Sequence, residues 1–197
     1  MRKVFYALII LELLSLNVSH VTFTNLKCGT YNRKVAEFQK CYIKAVNRTH
    51  KYVDVYMKVN QIPLDNITVS KENIDLADQS KSIFQLNLKV MRYDQGYKPF
   101  FIDITFDGCQ FLKSQKNPII KFFYEVYKDN SNINHTCPIN HDIIVDHVWT
   151  GNIEAGISKY VPVINGDYSI ETIFYSNKRR FGFVNAYVRL SGRPKDI

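Results

Sequence analysis

The chain has 197 residues and a mass of 23.0 kDa, and 46% of its residues are hydrophobic. This size suits one domain that buries roughly 70% of the surface exposed by the unfolded chain, so stability alone does not require disulfides. The formal net charge is +8 and the isoelectric point is about 9.2. No segment after residue 19 is apolar for long enough to span a bilayer, which takes roughly 20 residues.

The first residues have the pattern of an export signal. Arg2 and Lys3 precede an apolar run from Val4 to Leu16, which is too short for a membrane span. We therefore predict a signal peptide over residues 1–19 and one secreted, extracellular domain over residues 20–197. A basic secreted chain meets anionic lipid head groups or glycans rather than nucleic acid, although a generally solvated basic surface explains the charge equally well.

Most of the mature chain reads as strand. The clearest alternation runs over residues 51–59, where Val53, Val55, Met57 and Val59 share one face. Residues 83–92 and 98–107 repeat this pattern on either side of an Asp94-Gln95-Gly96 turn. They are predicted to form an antiparallel hairpin with one solvent-exposed face. The predicted strands cover residues 21–28, 38–46, 51–59, 83–92, 98–107, 143–149, 160–163, 168–175 and 181–190.

One amphipathic helix interrupts the strands, from Pro118 to Lys128. Asn117 is placed to cap its first turn, and Pro118 fits the first helical position because it lacks the N–H that would go unused there. The predicted apolar stripe consists of Ile119, Phe122, Phe123 and Val126, widened by Ile120 and Tyr127. The chain is therefore expected to form a mainly β domain of about eight or nine strands and one helix.

The four cysteines all follow the predicted signal peptide and allow three pairings. Sequence proximity favours disulfides between Cys28 and Cys41 and between Cys109 and Cys137, as expected in an oxidising compartment. No Cys-x-x-Cys motif is present, which argues against redox or zinc chemistry.

Two kinds of surface position are predicted. The sequons at Asn47, Asn66 and Asn134 are candidate glycosylation sites and should lie on exposed surface. Lys178, Arg179 and Arg180 form a basic tip within a predicted loop over residues 176–180. This tip is a candidate contact with a membrane surface or receptor, and a solubilising turn is the commoner explanation of such a sequence.

No catalytic constellation is evident. The best candidate is the segment from His141 to His147, where strand alternation predicts both histidines on one face and Asp142 and Asp146 on the other. Six residues of strand separate the histidines by roughly 20 Å, too far for a shared metal. We therefore expect neither an enzyme nor a metal or other cofactor.

Inward-facing apolar residues accumulate in the middle of the chain. They are expected either to fill a core or to line a ligand cavity, because the two have the same sequence pattern and differ only in volume. The residues are Val55, Met57, Phe84, Leu86, Leu88, Phe100, Ile102, Ile104, Phe122 and Phe123.

Several ordered motifs carry a family resemblance. They are Phe38-x-x-Cys41-Tyr42, Tyr97-Lys98-Pro99-Phe100, Cys109-x-Phe111-Leu112, Asn117-Pro118-x-x-Lys121-Phe122-Phe123, the run from Ser131 to Pro138, and Gly166-Asp167-Tyr168. With these motifs the chain resembles a fly-expanded insect family of secreted proteins that is catalogued as a domain of unknown function. That family is similar to the chemosensory CheA and CheB proteins, and more distantly to the ganglioside-activator and MD-2-related lipid-recognition proteins.

The resemblance implies a two-sheet antiparallel β-sandwich or β-cup whose interior accepts a lipid or another hydrophobic small molecule. It predicts a non-catalytic carrier or presenter of such a ligand, with a chemosensory role. The alternative is a secreted protein with a solid core that binds a receptor, glycan or membrane surface through its basic tip.

Overall fold

A computed structural model of the chain describes residues 20–47, 51–64, 84–154 and 165–191. Eight strands lie in these ranges, and their lengths follow the alternation of β-branched and aromatic residues with polar ones. The strands are β1 (His20–Thr30), β2 (Ala36–Ala45), β3 (Lys51–Val59), β4 (Phe84–Tyr93), β5 (Tyr97–Asp107), β6 (Ile143–Trp149), β7 (Gly166–Ser176) and β8 (Arg179–Ser191). The predicted strand at residues 160–163 and the predicted signal peptide lie outside the described residues.

The strands form two antiparallel sheets. The larger has five strands in the order β1-β8-β7-β4-β5, and the smaller has three in the order β2-β3-β6. The prediction of a mainly β, two-sheet sandwich or cup is confirmed. Strands β1 and β2 follow each other in the chain but belong to different sheets, so the polar segment between them turns the chain from one sheet to the other.

Tight turns set the register of both hairpins in the large sheet. Between β4 and β5 the Asp94 N–H donates to the Gly96 carbonyl over 2.8 Å, in the turn that the sequence predicts. Between β7 and β8 only Asn177 and Lys178 are unpaired, both with positive φ, as in the two-residue turns that suit twisted strands. The predicted five-residue loop there is therefore shorter, and the strands are longer.

Two helices follow β5. Helix α1 (Gly108–Ser114) was not predicted, because seven residues are too few for a helical period to stand out in the sequence. Its N-terminus is capped by the Asp107 carboxylate, which accepts the Gln110 N–H over 2.8 Å. A single turn of 3-10 helix, Lys128–Asn130, follows the second helix.

Helix α2 (Pro118–Tyr127) is the predicted helix, and Asn117 caps it by accepting the N–H groups of Ile119 and Ile120. Its most buried residues are Ile120 and Tyr124, whereas Ile119 is 41% exposed. The most buried face is thus rotated from the predicted stripe, because Ile120 and Tyr124 pack against Phe111 of α1, with the Tyr124 ring edge-on to that of Phe111.

Candidate ligand-binding cavity

The two sheets and helix α2 enclose a cavity of about 370 Å³. Every strand and both helices contribute lining residues, so no single element defines it. A volume of this size falls within the range of roughly 300–1,000 Å³ that is typical of small-molecule sites. The interior of this sandwich is therefore partly hollow.

Exposure along the central strands shows the same hollow. Ile170, Val184 and Ala186 face inward from β7 and β8 in the middle of the five-stranded sheet, yet each is only half-buried. Phe181, near the start of β8 at the end of the sandwich, is completely buried. The accessible surface of the central residues lies toward the cavity, since neighbouring strands cover their edges.

The lining is almost entirely hydrocarbon. No charged side chain is among the described residues that line the cavity, and the polar side chains among them are Thr172, Tyr124, Tyr127 and Tyr168. The Tyr124 hydroxyl donates to the Ile133 carbonyl over 3.2 Å. Burial holds the pKa of Tyr127 well above its ordinary value, so this phenol stays neutral. Such a chamber favours apolar guests and excludes exposed charge.

The cavity reaches the surface at an irregular point in β5. Pairing between β4 and β5 shifts after Lys89, and Phe101 has a positive φ of 55° in the resulting bulge. Phe101 is 94% exposed although it also lines the cavity. The centre of its ring lies 4.4 Å from the centre of the Phe100 ring. The bulge thus marks an opening.

Nine of the ten predicted cavity residues line the cavity: Val55, Met57, Phe84, Leu86, Leu88, Phe100, Ile102, Phe122 and Phe123. Ile104 does not. It packs instead on Phe111, Ile120 and Tyr124, because the unpredicted helix α1 covers that end of β5. The tenth assignment therefore needs correction.

Sequence reasoning missed the contribution of the last two strands. The structure adds an inward row from each strand: Tyr168, Ile170, Thr172 and Phe174 from β7, and Val184, Ala186, Val188 and Leu190 from β8. Both rows have a period of two in the sequence, which is the signal that identifies them.

Two disulfides hold the walls together. Cys28 of β1 is bonded to Cys41 of β2, so this bridge joins the large sheet to the small one at one edge. Cys109 of α1 is bonded to Cys137 in the segment before β6. These are the pairings that sequence proximity favours, and two disulfides are consistent with an oxidising, extracytoplasmic compartment.

The predicted surface positions lie apart from the cavity. Asn47 and Asn134 are exposed, and Asn66 lies outside the described residues. Lys178, Arg179 and Arg180 are all exposed at the β7–β8 turn, and the Arg180 guanidinium lies 6.0 Å from the centre of the Tyr175 ring.

The predicted arrangement of histidines and aspartates is wrong at one position. Pairing between β3 and β6 shifts opposite Asp54, and His147 has a positive φ of 54°. This bulge places His147 on the same outer face as Asp146, whereas simple alternation predicted opposite faces. Asp54, Asp146 and His147 each place one oxygen or nitrogen atom that could bind a metal ion within 4.8 Å of the other two.

These three groups are already bonded to one another. Asp54 is 5% exposed, and its carboxylate accepts the backbone N–H of His147 over 2.7 Å. The Asp146 Oδ1 lies 2.7 Å from Nδ1 of the His147 ring. Burial raises the pKa of Asp54, but the bonds from His147 and Tyr42 outweigh it and leave the pKa below its ordinary value. The cluster is on the outer face of the small sheet, and its evident role is to hold the bulge.

Histidines 135 and 141 also come together. Their Nε2 atoms lie 2.7 Å apart, and His141 Nδ1 contacts the Asn132 amide over 3.1 Å. The Asp142 carboxylate accepts the Tyr56 hydroxyl over 2.6 Å and the Val59 N–H over 2.9 Å. These contacts tie the segment before β6 to β3 and present no nucleophile to the cavity.

Comparison with known proteins adds one family. Over the described ranges no helix combines the length and apolarity needed to cross a membrane. No curated protein matches the chain in sequence. Residues 86–170, which include the cavity-lining residues of β5, α1, α2 and β6 and those of β4 apart from Phe84, match the family described as "Protein of unknown function (DUF1091)".

Proposed function

We propose that this protein is a secreted, non-catalytic binding protein that carries or presents a lipid or another hydrophobic small molecule. The observation that carries the proposal is the cavity of about 370 Å³, whose lining is nearly free of polar atoms. A solid sandwich would have no such volume. Binding then needs no cofactor, because removal of apolar surface from water supplies the free energy.

The expected affinity follows from the number of methylene groups buried. Each contributes about 0.8 kcal/mol, so ten contribute about 8 kcal/mol, the free energy of micromolar binding. Losses of translational and conformational freedom reduce this figure. An alkyl chain of ten to twelve carbons is therefore a suitable probe of the cavity.

The family resemblance supports a more specific role. Similarity to CheA and CheB proteins favours chemosensation, and the distant similarity to MD-2-related and ganglioside-activator proteins favours a lipid ligand. The signal-like residues 1–19, the two disulfides and the exposed sequons at Asn47 and Asn134 support secretion and glycosylation.

The experiment is ligand recovery followed by binding. Protein expressed in secreting cells is extracted with organic solvent, and the extract is analysed by mass spectrometry. The delipidated protein is then titrated with the apolar dye N-phenyl-1-naphthylamine, with dodecanol as competitor. Saturable dye binding that dodecanol displaces supports the proposal, and no saturable binding of either compound refutes it.

Two variants give the titration a matched control. Ala186→Phe adds a ring on the cavity side of β8, and Asn185→Phe adds the same ring on the opposite face of the same strand. We expect dye binding to fall at least tenfold in Ala186→Phe and to remain unchanged in Asn185→Phe. Equal binding by both variants would show that the dye binds elsewhere.

A second candidate function rests on the basic tip. Lys178, Arg179 and Arg180 are exposed together at a two-residue turn, an arrangement that suits contact with an anionic membrane or a receptor. Binding to anionic vesicles that weakens with salt and is lost when all three residues are changed to glutamine would support it. Salt-independent binding, or none, would reject it.

A further inference from the structure

One cation stands at the end of an apolar row inside the sandwich. Phe84, Leu86, Leu88 and Val90 face the cavity from β4, and Arg92 is the next residue in the same alternation. Arg92 lies directly opposite Tyr168, which is 4% exposed and lines the cavity. Arg92 is not itself a lining residue, but its side chain leaves the inner face of the sheet next to residues that line the chamber.

The described neighbours of this guanidinium are an aromatic ring and a glycine, and neither carries a negative charge. Its central carbon lies 5.8 Å from the centre of the Phe100 ring. Gly166 lies beside the guanidinium, so close that a Cβ atom at this position would be 3.7 Å from the Arg92 Nε, in van der Waals contact. Phe100 also lines the cavity, and its ring packs edge-on against that of Tyr168 at 5.5 Å. Arg92 thus extends over the aromatic residues at this end of the chamber.

Arg92 has no ion-pair partner within the described part of the chain. Its Nε is buried without a hydrogen bond, and no described carboxylate lies within ion-pair distance of the group. Neighbouring cations are different: Arg189 is bonded to Asp167 on the outer face over 2.7 and 3.1 Å, and Lys98 lies 3.2 Å from Asp94. Arg92 alone of these three is left unpaired.

A partly desolvated guanidinium with spare donors is a strong site for an oxyanion. Its planar fork matches a carboxylate or phosphate, and the hydrogen bonds are strengthened by charge on both partners. A buried donor that lacks an acceptor is unfavourable, so an acceptor brought by a ligand gains more here than at an exposed arginine.

We infer that the ligand is an amphipathic anion, whose alkyl chain fills the cavity and whose carboxylate or phosphate head group binds Arg92. This inference rests on the proposed function, because it adds a head group to the apolar guest. Cation–π contact with Phe100 is the alternative role for Arg92, and it predicts no preference between charged and uncharged ligands.

The test compares three probes of equal chain length: dodecanoate, dodecyl phosphate and dodecanol. Their affinities are measured by displacement of N-phenyl-1-naphthylamine at neutral pH and low ionic strength. We expect the wild-type protein to bind at least one anion 10- to 100-fold more tightly than dodecanol. The stronger of the two anions identifies the head group as carboxylate or phosphate.

Variants assign the preference to Arg92. In Arg92→Gln the anion preference should fall to within about threefold of unity while dodecanol affinity is unchanged, and Arg92→Lys should keep part of it. Arg189→Gln removes one positive charge from the outer face of the same sheet and should keep the full preference. A wild-type preference that shrinks with added salt would show that the preference is electrostatic, and the Arg92 variants then assign it to this residue.

Failure of this inference is distinguishable from failure of the proposed function. Equal wild-type binding of the anions and dodecanol, or a preference retained by Arg92→Gln, would overturn the anion site and leave the carrier function intact. Absence of binding by all three probes would overturn both.

Discussion

Replacing Ala186 by phenylalanine should stabilise the delipidated protein, because the new ring enters the cavity instead of a packed core. Ala186 pairs with Leu26 on one side and Ile170 on the other, and all three line the cavity. The position is central in the large sheet and only half-buried, so there is space in front of it.

The magnitude follows from burial and ordering. Burying a phenylalanine side chain contributes about 1.5–3 kcal/mol, and fixing its rotamer costs on the order of 1 kcal/mol. The free energy of unfolding should therefore rise by about 0.5–2 kcal/mol, with an increase in the melting temperature of about 2–4 °C per kcal/mol. In a filled interior the same change would cost about 1–3 kcal/mol through overpacking.

Urea unfolding followed by circular dichroism measures this difference. Asn185→Phe is the control, because it adds the same ring on the outer face, where surface substitutions change stability by about 0.5 kcal/mol or less. A loss of more than 1 kcal/mol in Ala186→Phe relative to this control would refute the hollow interior. A gain in stability together with loss of dye binding would connect the volume with the function.

Three further predictions concern the walls of the sandwich. Asp54→Ala should lower the free energy of unfolding by about 1–3 kcal/mol in urea titrations, because the partly buried backbone N–H of His147 loses its acceptor. The exposed Asp146→Ala should cost less than about 1 kcal/mol, and equal losses would contradict this role. Because the pKa of Asp54 is lowered by folding, its stabilisation is complete above about pH 4 and is lost as the pH falls through the folded-state pKa. Acid titrations of stability should therefore fall more steeply for the wild type than for Asp54→Ala, and parallel curves would contradict the shift. Replacing Cys28 and Cys41 together by serine should cost about 3 kcal/mol and increase amide hydrogen exchange in β1 and β2 more than in β4, so uniform exchange would argue against a local role of this bridge.

Local sequence signals predicted much of the fold. The strand at residues 51–59 has the bounds that alternation gives, and the Asp94-Gln95-Gly96 turn lies where it was predicted. Asn117 and Pro118 begin helix α2 as their capping and φ preferences require. Each of these features depends on residues within a few positions of one another.

Features that depend on distant partners were missed. The bulge at His147 exists because the buried Asp54 carboxylate, on a different strand, accepts its N–H. Helix α1 is short and gains stability from Phe111 packing on Tyr124 and from the disulfide at Cys109. Ile104 fell outside the cavity for the same reason, since its partners belong to α1 and α2.

The sequence by itself determined which side of most strands faces inward, since alternation is a local property of the chain. It left open whether those inward residues meet. The distance between the two sheets, and hence the volume between them, is decided by where α1, α2 and the disulfides hold the walls. Only the tertiary structure therefore distinguished a cavity from a core, and only it placed Arg92 beside that cavity with no ion-pair partner among the described residues.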